Sequence, residues 1–199
     1  MKIKKPGKVV EVELLAIDLS SCTRCVGSLK NIEATIKTIE NELKASGTRV
    51  KLVKTLIESE RDARDHRFLS SPTIRVNGHD LALDTVESKC ESCTDICGCE
   101  GGTDCRVWRY KGKDYTEAPK EMIVEALRRA MEGGAPAAKR VKYPGVPENL
   151  KRFFAGKKAK TASDGCCAPT EKKTCCAPSE KASCCGDEGS GKCGCSTKG

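Results

Sequence analysis

The chain predicts an α/β fold, and three stretches carry that prediction. The apolar run Glu13-Leu14-Leu15-Ala16-Ile17 ends in a polar turn bearing Cys22-Thr23-Arg24-Cys25, just where helical periodicity begins. A proline-led run, Ser71-Pro72-Thr73-Ile74-Arg75-Val76, leads into Asn77-Gly78. A last amphipathic stretch, Met122 to Met131, is closed by Gly133-Gly134. Strand, dithiol helix, proline-led hairpin and final helix make a sheet covered by helices.

Each element follows from its own pattern. Val10, Val12, Leu14 and Ala16 alternate with Glu11, Glu13, Leu15 and Ile17, so the first strand starts half exposed and becomes apolar on both sides. That is the pattern of a central strand. Cys25, Leu29, Ile32, Ile36, Ile39 and Leu43 recur every three or four positions and predict one helix from about Cys25 to Ser46, ended by Gly47. Thr48 to Ile57 is β-branched and aliphatic, a second strand. Ser59 to His66 is short and charged, a weak helix at best. Thr73–Val76 and His79–Leu83 flank Asn77-Gly78, the strongest short hairpin signal. An X-Pro bond ahead of a strand, as at Ser71-Pro72, suits a cis peptide in a tight turn. Arg106–Tyr110 and Asp114–Tyr115 predict a second hairpin with Gly112 at its turn, and Pro119 fits the first position of the last helix.

This order resembles the thioredoxin fold over about Val9 to Met131. The resemblance implies a three-layer domain in which the Pro72 loop packs beside Cys22 and Cys25. The chain departs from thioredoxins in lacking Trp-Cys-Gly-Pro-Cys and in carrying Ser71 where an apolar residue is usual. It is similar more closely to a prokaryotic thioredoxin-like family of uncharacterised function, at Cys-Thr-Arg-Cys (22–25), Ser-Ser-Pro-Thr-Ile-Arg-Val-Asn-Gly (70–78), a cysteine cluster, Cys-Arg-Val-Trp (105–108) and Pro-Glu-Asn-Leu-Lys-Arg-Phe-Phe (147–154). That likeness spans most of residues 9–156 and implies a fold rather than an activity.

Composition divides the chain. Residues 133–199 hold 13 of its 36 Lys/Arg but only 6 of its 28 Asp/Glu, so nearly all of the net charge of +8 belongs to this arm. The expected organisation is one domain at 9–132 with a Cys-rich insertion at 88–105, a basic linker at 133–160 with a docking segment at 147–154, and a disordered tail at 161–199. The tail repeats every nine residues, with Cys166, Cys175, Cys184 and Cys193 in register. No large apolar residue follows Phe154, so the tail has nothing with which to build a core. The linker's cations carry no nucleic-acid reader motif, and nucleic acid is not expected as a partner. No apolar run reaches the ~20 residues that span a bilayer, and the basic N-terminus lacks a secretory pattern. A reducing cytoplasm is therefore expected, where fifteen cysteines argue for metal or redox chemistry rather than structural disulfides.

Three groups of sulfurs carry that chemistry. Cys22 at a helix start faces unpaired backbone N–H groups and the positive end of the macrodipole, which favour its thiolate. Cys25, one turn on, is placed to resolve a mixed disulfide, and Pro72 would shape the groove for a protein disulfide or small thiol reductant. Arg24 adds positive potential, though an exposed arginine is usually just solvated, and Asp18 is a strand-end carboxylate that would serve Cys25 only if buried beneath it. Cys90, Cys93, Cys97 and Cys105, with Cys99 spare, read as a zinc site, as a second redox pair relaying electrons, or as iron–sulfur ligands. The tail's Cys166, Cys167, Cys175, Cys176, Cys184, Cys185, Cys193 and Cys195 suit soft ions such as Cu(I), As(III) or Hg(II), because flexible vicinal thiolates close on such ions without a preformed site. Two functions follow: a thiol–disulfide redox protein working through Cys22 and Cys25, coupled to soft-metal binding, or a non-enzymatic metal chaperone or sequestering protein on the same scaffold.

Overall fold

The computed structural model describes residues 7–82, 84–134 and 142–163 and is an α/β protein. The tail cysteines, residues 164–199 of the tail expected to be disordered and part of the basic linker lie outside the described residues, while 148–163, expected as linker and the start of the tail, are helical. Strands Lys8–Ala16 (β1), Thr48–Leu56 (β2), Thr73–Val76 (β3) and His79–Asp80 (β4) form one sheet in the order β2-β1-β3-β4. β1 runs parallel to β2 and antiparallel to β3, pairing Val12 with Leu52 and Leu14 with Ile74. The central placement explains the sequence of β1: Val10, Val12 and Leu14 face the core, and by Leu15 and Ala16 both faces are covered.

Helix α1 (Thr23–Thr38) follows the dithiol turn, and α2 (Glu40–Ala45) continues it after a break at Ile39, where one unbroken helix was expected. Ile39 and Leu43 stay buried on the core side despite the break, and Gly47 ends the segment at φ +66°. The polar stretch after β2 does form a helix, α3 (Glu60–Asp65), because the Ser59 hydroxyl accepts the Asp62 N–H as an N-cap and Ala63 is buried. Both predicted hairpins form. Their turns, Asn77-Gly78 and Lys111-Gly112, hold both central residues at positive φ, the backbone twist that matches paired strands.

Strands Val86–Lys89 (β5), Asp104–Tyr110 (β6) and Lys113–Tyr115 (β7) make a second sheet in the order β5-β6-β7. Between β5 and β6 lies helix α4 (Glu91–Cys97), so the cysteine-rich insertion is a strand, helix and strand rather than a coreless loop. Helix α5 (Lys120–Met131) buries Ile123, Leu127 and Ala130, with Pro119 one position earlier than expected, as its cap. The last described helix, α6 (Glu148–Ser163), buries Leu150, Phe153 and Phe154 and packs on α3 and α4.

Two apolar clusters result. One joins Val10, Val12 and Leu14 to Ile32, Ile123, Leu127 and Trp108. The other joins Leu15, Ile17, Phe68, Leu150 and Phe153 to six cysteines, Cys22, Cys25, Cys90, Cys93, Cys97 and Cys105. The second hydrophobic core thus gathers the buried cysteines of the described residues.

Asp80 clamps the two sheets together. The Arg106 guanidinium on β6, fully buried, donates to both Asp80 carboxylate oxygens at 3.0 and 3.1 Å and lies 5.3 Å from the Trp108 ring. The same carboxylate accepts the Ala82 N–H at 3.0 Å, which turns the chain away where a longer strand, His79–Leu83, was expected. Asp80→Ala strands a buried guanidinium, so a loss of about 3 kcal/mol in urea-unfolding free energy is expected. A change below about 0.5 kcal/mol would show that the pair is solvated in solution.

Candidate metal centre

Two Cys-x-x-Cys helix starts face each other. Cys22 is the N-cap of α1 and Cys90 the N-cap of α4, and the Thr23 and Ser92 hydroxyls beside them are 3.3 Å apart. Cys93 lies one turn into α4, and Cys105 sits on β6, beside β5. The sulfurs of Cys22, Cys90, Cys93 and Cys105 all lie within 4.8 Å of one another. Cys93 Sγ donates to Cys22 Sγ at 3.3 Å, and Cys105 Sγ donates to Cys93 Sγ at 3.2 Å. Cys22, Cys93 and Cys105 are fully buried, and Cys90 is only 3% exposed.

Such crowding separates the protonation states. Cys105 first, then Cys25, Cys90 and Cys93, hydrogen-bond to the Cys22 sulfur and hold its thiol well below the usual range. Cys105 and Cys93 bring Cys90 down to about 7 against an opposing push from Cys22. Cys22, Cys90 and Cys93 drive Cys105 up; at Cys93 the pull of Cys105 downward is outweighed by Cys22 and Cys90. Like charges this close cannot all ionise unless a cation joins them. A thiophilic cation removes that conflict, since four bonds of about 2.3 Å in a tetrahedron set sulfurs about 3.8 Å apart. The donor set and its spacing fit a four-thiolate ion.

The site differs from the expected grouping in one member. Cys90, Cys93 and Cys105 converge as foreseen, but Cys22 occupies the place assigned to Cys97, which is disulfide-bonded to Cys99. Sequence spacing favoured four neighbours in the chain; packing selected Cys22, 71 residues from Cys93. The outer face of the Cys97-Cys99 turn is covered by α6 at Gly156, where an added Cβ would come within 2.7 Å of Cys99 Sγ and 2.8 Å of the Cys97 carbonyl. Glycine in mid-helix is the consequence of that close approach.

Cys25 is buried beside Cys22 but outside the group of four. Its thiol is pushed up by the neighbouring Cys22 sulfur and by burial, and its Sγ is 3.3 Å from Ser71 Oγ. That hydroxyl also accepts the Ile17 N–H at 3.1 Å, while the Ser71 carbonyl accepts the Arg106 N–H at 2.7 Å. Ser71-Pro72 is a cis peptide, and the Ser71 side chain of this loop meets Cys25. Ser71, the departure from an apolar residue, is therefore the polar partner of the second thiol.

Two charged residues shape the surroundings. Arg24 is 9% exposed rather than solvated, and its guanidinium donates to the carbonyls of Cys105 at 3.0 Å and Ser88 at 3.3 Å and to that of Lys89. It ties α1 to the strands on either side of the insertion. The Asp18 carboxylate accepts backbone N–H groups of Ser20, Ser21 and Cys22 at 3.0, 2.6 and 2.8 Å, and these bonds hold its pKa down against the opposing effect of burial. Asp18 thus organises the turn that places Cys22. Arg24→Gln removes the cationic fork, and a loss of roughly 2–3 kcal/mol in unfolding free energy is expected. Arg24→Lys should recover little of it, because one ammonium does not span three carbonyls; full recovery would assign Arg24 a purely electrostatic role.

No described helix is long and apolar enough to cross a membrane. No curated protein and no solved structure matches the chain. A family model, described as a domain of unknown function (DUF2703), matches residues 10–127, more than half of the chain and all four convergent cysteines. The chain belongs to that family.

Proposed function

We propose that this protein binds a thiophilic metal ion through Cys22, Cys90, Cys93 and Cys105 on a thioredoxin-like scaffold. The observation that carries the reading is the convergence of four buried thiols from α1, α4 and β6 within 4.8 Å. Zinc is the ordinary occupant of four thiolates, and binding would release the protons that crowding keeps on Cys93 and Cys105. Four thiolates around a divalent cation leave two negative charges, and the Arg24 guanidinium beside the Cys105 carbonyl offsets part of them. The strand order and the cis Ser71-Pro72 loop beside Cys25 support the thioredoxin-like assignment.

The tail extends the same chemistry. Its eight cysteines would take soft ions such as Cu(I), As(III) or Hg(II) in a reducing cytoplasm and exchange them with other thiols. A second reading, thiol–disulfide exchange by Cys22 with Cys25 as resolving thiol, is favoured by their spacing at the start of α1 and by the lowered Cys22 pKa. Against it, Cys22 is fully buried, and attack on a protein disulfide requires an accessible sulfur.

Native mass spectrometry of anaerobically purified full-length protein separates the two. The metal reading predicts one tightly held divalent ion that survives deletion of residues 161–199, and little disulfide reductase activity. Brisk reduction of a small disulfide by Cys22, with no metal in the truncated protein, would overturn it.

A further inference from the structure

We infer that the core is an oxidant-gated metal site, in which Cys25 competes with the metal for Cys22. This rests on the four-thiolate reading and adds its regulation. Cys22 belongs to two groupings that exclude each other. It is one of the four convergent sulfurs, and it is also the first member of the Cys22-x-x-Cys25 pair at the head of α1, with Cys25 one helical turn away in the same buried cluster. A sulfur in a disulfide is no longer a thiolate ligand. With four ligands engaged, Cys25 is the remaining free thiol among the described residues, packed in the same cluster as the four, with Ser71 Oγ 3.3 Å from its sulfur.

The chemistry balances with a peroxide as the two-electron oxidant. The metal–sulfur bond of Cys22 breaks, the Cys22–Cys25 bond forms, and hydrogen peroxide is reduced to water and hydroxide, the proton coming from the Cys25 thiol. Both sulfurs are oxidised by one electron each. The ion then keeps three of its four protein ligands, Cys90, Cys93 and Cys105, and is lost to competing thiols or a chelator. A thiol reductant reverses the change and restores the fourth ligand. Cys90, the one member of the four with any exposure, gives the departing ion its outlet. The insertion thus converts a dithiol helix start into a metal site with a built-in release.

The test uses full-length protein loaded anaerobically with zinc, with Cys93→Ser as the baseline that subtracts ions held by the tail. Hydrogen peroxide is added beside a chromogenic zinc chelator, and disulfides are mapped by differential alkylation. Wild type should release its core ion with a Cys22–Cys25 disulfide, reversibly on adding dithiothreitol. Cys25→Ser should still take up the core ion but release it at least tenfold more slowly. Equal release rates in the two, or a disulfide that joins Cys22 to Cys90, Cys93 or Cys105 instead, would overturn the gating. If wild type binds no more zinc than Cys93→Ser, the metal-centre reading itself fails, a distinct result. Should Cys25→Ser not fold, Cys25→Ala and the loss and recovery of zinc binding in oxidised and re-reduced wild type make the same decision.

Discussion

Cys93→Ser is expected to lower the metal content of the purified protein by one ion per chain and to destabilise the domain more than any other single change at the site. Cys93 is the middle of the sulfur chain, accepting from Cys105 at 3.2 Å and donating to Cys22 at 3.3 Å, in a fully buried position. Serine is smaller and hard where the ion is soft, and it leaves three thiols sharing a cavity built for four. The stabilisation by a bound ligand grows with the logarithm of its concentration over Kd, so a site held at about 1,000 times Kd contributes about 4 kcal/mol to the folded state. The variant should lose an amount of that order in thermal or urea unfolding with metal present. With metal stripped from both proteins, the difference should shrink to about 1–2 kcal/mol, the cost of a buried substitution alone. A difference that is the same with and without metal would sink the metal reading and leave Cys93 as a packed thiol.

Phe153→Ala is the second large effect, and it acts on the same site from outside. Phe153 is fully buried, stands edge-on to Phe154 with ring centroids 5.8 Å apart, and shares its apolar cluster with Cys22, Cys25, Cys90 and Cys93. Truncating a buried phenylalanine costs about 3–5 kcal/mol through lost burial and the cavity left behind. The loss should fall on the docking of α6, which packs on α4, the helix that carries Cys90 and Cys93. Local opening free energies govern access to buried groups, so a 3 kcal/mol loss there should raise native-state alkylation of Cys90 and Cys93 in the metal-free protein by roughly a hundredfold. The readout is the labelling rate of the α4 peptide by mass spectrometry. Labelling no faster than in wild type would mean that α6 is not the cover of the sulfur cluster. The family model ends at residue 127, before this helix, so the experiment also asks whether the segment beyond it completes the centre.

These expectations separate what was legible in the chain from what was not. The dithiol at the start of α1, the cis-capable Ser71-Pro72 turn, the Asn77-Gly78 hairpin and the core face of α5 follow from patterns within a dozen residues, where backbone geometry and periodicity decide. Leu150, Phe153 and Phe154 were readable as a docking segment because isolated large apolar residues in a basic stretch need somewhere to go. Gly156 was not legible, because the stretch was read as a linker rather than a helix, and the reason for a glycine there appears only where α6 meets the Cys97-Cys99 turn.

Local patterns determined that this protein would be α/β, would carry a thiol pair at a helix start, and would hold a second thiol cluster in an insertion. Tertiary structure alone decided which sulfurs meet. Cys22 and Cys93 are 71 residues apart, and their contact depends on β5 and β6 folding back over α1, with Arg24 donating to carbonyls on both strands. Spacing in the chain places Cys97 nearer to Cys93 than Cys22 is, yet the helical path of α4 carries Cys97 toward Cys99 and leaves the fourth corner to α1. Burial likewise turned Arg24 from an expected solvated charge into an interior clamp. Both follow from the same physical cause: side-chain direction and long-range packing are properties of the assembled elements, and no local window contains them.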